Sequence, residues 1–258
     1  MSLFDTHCHL ASDDFAQTLE ETLKNSSQAG VSHLTLIATE LEDGRRAKKI
    51  ADEYKGPLKL FPTLGLHPHD AKKFDETFAK DLKNEIKDYV AVGETGLDYH
   101  YNYSSKEEQL QSFIYHVELA TEFKKPIVIH CREAVEDIYS VFKERQSQLI
   151  SQPGVMHCFS ENLEWAKKFL DLGFYLSFSG ILTFKAAEMI REVAQSTPLD
   201  RMVIETDSPY LAPVPYRGKQ NSPAYLPQTF EKLCQIRTES KALIEDTLLE
   251  TSQKLYRL

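Results

Sequence analysis

The chain has 258 residues, of which 41% are hydrophobic and 27% are charged. That composition is typical of a globular protein with an ample core. The formal net charge is −9, which argues against a protein held to nucleic acid or to a membrane by its overall electric field. A phosphate-bearing substrate is still compatible with this charge, because bound cations can dominate a local field.

The four cysteines give no sign of a zinc ribbon or a thioredoxin-like redox site, because no two of them form a Cys-x-x-Cys pair. A reducing compartment is the simplest setting for such a chain. The first predicted strand begins almost at Met1, which leaves no room for a signal peptide. No apolar run is long enough to span a membrane. We therefore expect a cytoplasmic protein without membrane association.

Short apolar runs alternate with amphipathic stretches along the whole chain. The predicted strands are, in chain order, 4–9, 33–37, 58–64, 89–93, 126–129, 154–156, 174–178 and 202–204. The predicted helices that follow them are, in turn, 12–30, 40–54, 74–87, 105–123, 134–145, 162–172, 186–195 and the final pair 229–237 and 244–256. Such alternation indicates parallel strands with helical crossovers. Eight units in this length favour a single-domain α/β protein, a (β/α)8 TIM barrel over residues 1–258.

Residues of the types that bind metals lie at the carboxyl ends of five of the predicted strands. They are His7 and His9, Glu94, His130, His157 and Asp207. One His-x-His pattern alone is weak, and two polar residues that end a strand are the more common explanation for it. In a barrel, however, the carboxyl ends of all strands meet at one face, where active sites of this fold are built. The five strand ends together therefore predict a metal site.

The predicted ligands are imidazoles and carboxylates, without thiolates, a set that suits Zn, Mn, Fe, Ni or, with more water, Mg. Six ligands are too many for one open tetrahedral site. They fit two metal ions about 3.5–4 Å apart that share a bridging ligand. Glu94, on the fourth strand, is the natural bridge.

Five motifs give the chain a resemblance to a known family. They are FDTHCH at 4–9, GETGLDY at 93–99, IHCR at 129–132, HCFS at 157–160 and ETDSPYL at 205–211. With these motifs the chain resembles, along nearly its whole length, the TatD family of metal-dependent deoxyribonucleases within the amidohydrolase-like barrels. The resemblance implies a hydrolase that cleaves phosphodiester bonds in DNA with two divalent metal ions, for which Mg, Mn and Zn are the candidates.

The resemblance also implies roles for the predicted ligands. One metal ion would be held by His7, His9, Glu94 and Asp207, and the other by Glu94, His130 and His157. Asp207 would in addition serve as the general base toward the attacking water. From the residues alone, Asp207 could instead cap the loop that begins at Ser208.

Four further residues are candidates for substrate binding. His67 lies just past the third strand, where it could contact a phosphate or cap a turn. Arg132 follows a predicted ligand, and its guanidinium suits a phosphate, although a structural ion pair competes with this interpretation. Arg217 and Lys219 lie in the loop after Asp207, where a contact to the phosphate backbone is plausible.

Residues of the segment after Glu94, which we predict to be a loop, have weaker candidate roles. Asp98 could orient a histidine that binds metal. Tyr99, Tyr101 and Tyr103 could stack on nucleotide bases, although such tyrosines more often simply cover the mouth of a barrel.

Three functions compete at this point. The first is a metal-dependent phosphodiesterase acting on DNA. The second is an amidohydrolase or phosphotriesterase acting on a small molecule, whose relatives often carry a carboxylated lysine as the bridge where this chain has Glu94. The third is a metal-bound barrel without turnover that acts as a binding partner, against which the full ligand set speaks. We expect a monomer by default, because no long exposed apolar element is evident.

Overall fold

The computed structural model describes residues 2–101 and 103–258, and in it strands and helices alternate as expected. The strands are β1 (Leu3–Cys8), β2 (Val31–Leu36), β3 (Lys59–Leu64), β4 (Ala91–Asp98), β5 (Ile127–Arg132), β6 (Gly154–Met156), β7 (Tyr175–Phe178) and β8 (Met202–Ile204). The helices are α1 (Leu19–Gln28), α2 (Leu41–Glu53), α3 (Glu76–Glu85), α4 (Lys106–Glu122), α5 (Val135–Glu144), α6 (Leu163–Asp171), α7 (Glu188–Ser196), α8 (Leu226–Ile236) and α9 (Lys241–Tyr256).

The eight strands form one parallel sheet in sequence order, β1 to β8. Its first and last strands meet beyond their ends, where the amide of His9 donates to the carbonyl of Ser208 at 2.8 Å and the amide of Asp207 to that of His7 at 2.9 Å. The sheet therefore curves into a nearly closed barrel with helices outside it. The predicted (β/α)8 fold is confirmed.

Two buried clusters fill the space inside and outside the sheet. The larger one lies between the strands and the helices. The smaller one combines side chains of strands all around the barrel, among them Phe4, Val128 and Val203, with the end of α9. Tyr256 on α9 packs its ring against Phe4 and donates its hydroxyl to the carbonyl of Thr6 at 2.7 Å. The last helix therefore helps to fill the barrel interior, which leaves the opposite, C-terminal face for a site.

The prediction that β4 ends before Glu94 and gives way to a loop is wrong. The strand continues to Asp98, and it pairs with β5 from Thr95 to Asp98. Two glycines of the strand, Gly93 and Gly96, make this possible, and both have a positive φ. Gly96 has φ +143°, and a Cβ atom there would lie 2.0 Å from the carbonyl oxygen of His130. Only glycine permits this backbone conformation and this close approach of the two strands.

Several helix boundaries also differ from the prediction. The predicted helix 12–30 is broken into a 3-10 turn, Asp13–Phe15, and the shorter α1. The predicted helix 74–87 ends in a 3-10 turn, Ile86–Asp88, because a tighter last turn satisfies terminal carbonyls. The last two helices begin three residues earlier than predicted, at Leu226 and Lys241. None of the helices in residues 2–101 and 103–258 has the length and apolar character needed to cross a membrane.

A buried histidine on α4 supports the segment that leads from β3 to the site. His116 Nδ1 donates to the carbonyl of Ser112 at 2.7 Å, and its Nε2 accepts from the amide of Leu66 at 3.1 Å. Both ring nitrogens are thereby used in the neutral form. Burial lowers the pKa of His116 to about 4, from a usual value of 6.5.

His116 should make the stability of the protein depend on pH. Because the pKa of His116 is lower in the folded state than in the unfolded state, its contribution to stability is present above pH 6.5. It is lost as the pH falls toward 4, and about 2 kcal/mol is lost between pH 7 and pH 5. Between pH 7 and pH 5, the free energy of unfolding of a His116→Gln variant should therefore decrease by about 2 kcal/mol less than that of the wild type. Urea titrations of both proteins at the two pH values measure it, and parallel pH dependences would contradict it.

Candidate metal centre

The predicted ligands reach the barrel mouth through local irregularities in two strands. Phe4 and Ala91 belong to the cluster inside the barrel, and strict alternation would turn His7 and Glu94, three positions later, to the other face. The register of β1 with β2 shifts between Asp5 and Cys8, and that of β4 with β5 shifts between Val92 and Thr95. Such bulges re-aim side chains next to active sites. Here they bring both ligands to the inside.

The first group of candidate ligands comes from the two strands that close the barrel. The Nε2 atoms of His7 and His9 lie 3.1 Å apart. The Oδ1 atom of Asp207 lies 3.5 Å from His7 Nε2 and 3.4 Å from His9 Nε2. These three atoms converge on one point, within the reach of a single ion.

The second group surrounds the other side of the Glu94 carboxylate. Glu94 Oε1 lies 2.9 Å from His157 Nε2 and 3.2 Å from His130 Nδ1. Those two nitrogens are 3.3 Å apart. Glu94 Oε2 instead faces the first group, at 3.4 Å from His7 Nε2 and 3.5 Å from His9 Nε2. Each oxygen of Glu94 therefore faces a different cluster of imidazoles.

The residues present fit a bound cation. Glu94 is 2% exposed, and its Oε2 atom is buried without a hydrogen-bond partner among the described residues. A buried carboxylate oxygen without a donor is costly unless another positive group satisfies it. A divalent ion between Glu94 Oε2, His7 and His9 would do so, and imidazole and carboxylate are suitable donors for it.

Both central carboxylates are ionised at neutral pH. Burial raises the pKa of Glu94, but the nearby imidazoles, led by His157 and His67, outweigh it and hold the pKa well below its usual range. Burial also raises the pKa of Asp207, and the hydrogen bond with His9 together with the other histidines brings the net pKa below its usual value. Each carboxylate can therefore bind a metal ion or accept a proton.

The backbone and the side chain of Asp207 have separate tasks. Its φ is +57°, a left-handed conformation that aspartate and asparagine tolerate better than most residues. Its carbonyl accepts the amide of Tyr210 at 2.8 Å, which shapes the turn. The carboxylate has no backbone amide partner among the described residues and contacts His7 and His9 instead. The geometry therefore gives no support to a side-chain cap of the following loop.

Two acidic side chains orient the histidines of the second group. Asp98 Oδ2 lies 3.0 Å from His130 Nε2, as expected for an orienting partner, and 2.9 Å from His69 Nε2. Glu205 Oε1 lies 3.3 Å from His157 Nδ1 and accepts the amide of Cys158 at 2.7 Å. In each histidine the partner holds one ring nitrogen, so that the other is turned toward Glu94.

Glu205 and His69 were not predicted to take part in the site. The alternation of side chains along β8 could have indicated Glu205. Val203 faces the barrel interior, and Glu205 and Asp207 follow it at steps of two residues, which places them on the same face. Nothing in the local sequence of His69 predicts its contact with Asp98, which joins residues 29 positions apart.

His67 caps a turn, which is one of the two roles considered for it, and its other ring nitrogen faces the candidate centre. Its Nδ1 accepts the amide of His69 at 3.2 Å and caps the 3-10 helix Pro68–Lys73. Its Nε2 lies 3.6 Å from Glu94 Oε1, and the nitrogen atoms of His67 and His130 converge with Glu94 closely enough to share an ion. The cap is therefore present, and the free nitrogen points at the candidate centre.

The three cationic side chains predicted to bind substrate are exposed and stack on aromatic rings. The guanidinium of Arg132 lies 5.0 Å from the ring centroid of Tyr101, and that of Arg217 lies 3.8 Å from the ring of Phe184. The ammonium of Lys219 is 5.9 Å from the ring of Tyr216. Within the part of the chain that the structure describes, none of the three cations has a carboxylate within 4.0 Å. The ion pair considered for Arg132 is thus not found there.

Comparison with known proteins gives one consistent family. The family model described as TatD related DNase matches residues 4–257. The Bacillus subtilis protein named uncharacterized metal-dependent hydrolase YabD is 35% identical, over 99% of this chain and 99% of its own length. The Escherichia coli protein YcfH, named in the same way, is 38% identical over 92% of this chain and 89% of its own length.

A solved structure of a TatD homolog has closely the same fold as this chain. The crystal structure of the Escherichia coli TatD homolog YJJV superposes with a TM-score of 0.91 at 30% identity, and the alignment covers 99% of this chain and 98% of that one.

Proposed function

The chain belongs to the TatD family of metal-dependent hydrolases, and from that premise we propose that it is a deoxyribonuclease that hydrolyses phosphodiester bonds in DNA. Two divalent ions, with Mg, Mn and Zn as candidates, would activate the attacking water and neutralise charge at the phosphoryl centre. All proposed ligands come from one chain, which supports a catalytic monomer. The single domain and the cytoplasmic location stay predictions.

The arrangement of Glu94 is the observation that carries this proposal. Its Oε2 faces His7 and His9, and its Oε1 faces His130 and His157. A carboxylate placed in this way can bridge two ions. We assign His7, His9, Glu94 and Asp207 to one ion, and Glu94, His130 and His157 to the other.

Asp207 is proposed as the general base. Its carboxylate is ionised, 8% exposed and directed into the site, so that it can accept a proton from the attacking water. Asp98 and Glu205 hold His130 and His157 in one orientation, which keeps their ligating nitrogens in place when substrate binds.

The substrate contacts come from the rim of the barrel. Arg132, Arg217 and Lys219 are cations without a carboxylate partner among the described residues, and they belong to a chain whose net charge is −9. We propose that they bind phosphate oxygens of the DNA backbone. His67 Nε2, close to Glu94, would contact the phosphate at which hydrolysis occurs.

One panel of substrates tests this function. Single- and double-stranded oligonucleotides are compared with small carboxylic esters, amides and phosphotriesters, each with divalent metal and with excess chelator. We expect cleavage of at least one class of oligonucleotide, abolished by the chelator and restored by added metal, and no comparable turnover of the small molecules. Undiminished hydrolysis of DNA after exhaustive metal removal would exclude the metal mechanism, and preferred turnover of a small ester or amide would support an amidohydrolase instead.

A further inference from the structure

Two exposed aromatic rings lie beside the candidate metal centre, in the loop after β4. The rings of Tyr101 and Tyr103 are parallel within 5°, with their centroids 5.6 Å apart. Tyr101 is 38% exposed and Tyr103 is 56% exposed. Neither tyrosine belongs to the buried clusters of the barrel, so part of the ring surface of this pair remains open to a ligand.

The third tyrosine of the same segment is different. Tyr99 donates its hydroxyl to Asp137 Oδ2 at 2.6 Å, and the ammonium of Lys106 lies 3.9 Å from its ring centroid. Tyr99 also packs against the main core. Its ring is therefore engaged in the fold, whereas Tyr101 and Tyr103 keep exposed ring surface.

A chain of short contacts connects these rings to a proposed metal ligand. The ring of Tyr103 lies 4.9 Å from that of His69. His69 shares Asp98 Oδ2 with His130, at 2.9 and 3.0 Å. The other oxygen of Asp98 accepts the amide of Tyr101 at 3.0 Å. One buried carboxylate thus holds both the tyrosine loop and His130, so the position of the rings is set relative to the centre.

The charged side chain next to the rings is Arg132, which has no carboxylate partner among the described residues. The guanidinium of Arg132 lies 5.0 Å from the ring centroid of Tyr101. The acidic neighbour Glu133 is engaged by His100, at 2.8 Å from its Nδ1. A parallel pair of aromatic rings beside a guanidinium that has no carboxylate partner among the described residues combines a stacking surface with a phosphate-binding group. Proteins use these two elements to hold single-stranded nucleic acid.

We propose that Tyr101, Tyr103 and Arg132 form a subsite that binds one unpaired nucleobase, from a nucleotide next to the phosphate at the metal centre. The base stacks on the tyrosines, and Arg132 contacts the adjoining phosphate. This inference rests on the proposed function. A base within a duplex has both faces covered by its neighbours, so only an unpaired or displaced base can enter the subsite.

The test uses metal-loaded protein and a single-stranded octanucleotide with phosphorothioate linkages that resist cleavage. Affinity is measured for this probe and for a set of otherwise identical probes, each lacking one base at a different position. The proteins are the wild type, Tyr103→Ala, Tyr103→Phe, and Leu243→Ala as a control for loss of an exposed apolar side chain on α9, outside the site.

We expect Tyr103→Ala to bind the intact probe about 5- to 150-fold more weakly than the wild type, the effect of losing one base–aromatic stack. On the probe that lacks the base at the subsite, the two proteins should bind equally. Tyr103→Phe keeps the ring and should bind like the wild type, as should Leu243→Ala.

Two results would overturn the subsite. Either Tyr103→Ala binds the intact probe as tightly as the wild type does, or its loss is the same on every probe, so that no single base accounts for it. In both cases a wild type that still cleaves oligonucleotides keeps the proposed function intact. A wild type that neither binds nor cleaves any oligonucleotide would instead remove the proposed function itself.

Discussion

Replacing Glu94 by alanine is expected to reduce metal binding at both halves of the centre and to abolish hydrolysis. The reason is the position of this carboxylate, whose two oxygens face the two different groups of histidines. In Glu94→Ala, the bound metal should fall from about two equivalents per chain to well below one. Turnover should fall by more than the ~10²–10⁴-fold that removal of a general base causes.

A ligand at the edge of the centre provides the matched control. His9 approaches only the Asp207 side of the centre and the Oε2 atom of Glu94. We expect His9→Ala to weaken one metal position and to spare most of the other. Metal content per chain, measured for both variants after equilibrium dialysis, makes the comparison. Two full equivalents in Glu94→Ala would show that the bridge assignment is wrong.

The Asp207→Asn variant is expected to bind metal and DNA but to turn over about 10²–10⁴-fold more slowly. Asparagine keeps the size and one oxygen ligand of the side chain but cannot act as the base. It also suits the backbone, because Asp207 has φ +57° and asparagine tolerates that conformation. The fold should therefore survive, which separates loss of chemistry from loss of structure.

Thermal unfolding, metal content and single-turnover cleavage are measured on one preparation of Asp207→Asn. If the carboxylate served only to shape the loop, stability would fall while the rate per folded molecule stayed close to that of the wild type. A stable variant with full metal content that cleaves within a few-fold of the wild type would remove Asp207 from the mechanism.

The architecture and the ligand types could be predicted from the sequence because both depend on local patterns. Eight apolar runs alternate with amphipathic stretches, and metal-binding side chains follow five of the runs. His157 shows how direct this is, since β6 ends at Met156 and the histidine is the next residue. The convergence of the six side chains then follows from the topology of the barrel.

The orientation of His7 and Glu94 could not be predicted in the same way. Both depend on shifts in strand register, and a register shift results from pairing with a neighbouring strand rather than from local sequence. The continuation of β4 to Asp98 has a similar cause. From the sequence alone Gly96 indicates a turn, and only its close contact with β5 shows why a glycine is needed within the strand.

The residues that orient the ligands depend on contacts between distant parts of the chain. Glu205 reaches His157 across 48 positions, and Asp98 reaches His130 across 32. In both cases the partner belongs to a different part of the barrel, since Asp98 lies on β4 and His130 on β5. The residues next to Asp98 or Glu205 in the sequence therefore do not reveal which histidine each one contacts.

We propose that two ions bound at this centre support the hydrolysis of DNA phosphodiester bonds. It is tested most directly by titrating chelator-stripped wild-type protein with Mn²⁺ while cleavage of a single-stranded oligonucleotide and bound metal are followed together. The proposal predicts no cleavage by the stripped protein and a full rate only as the second equivalent per chain is bound. Full cleavage without metal, or two bound equivalents with no phosphodiester cleavage of any oligonucleotide, would contradict it.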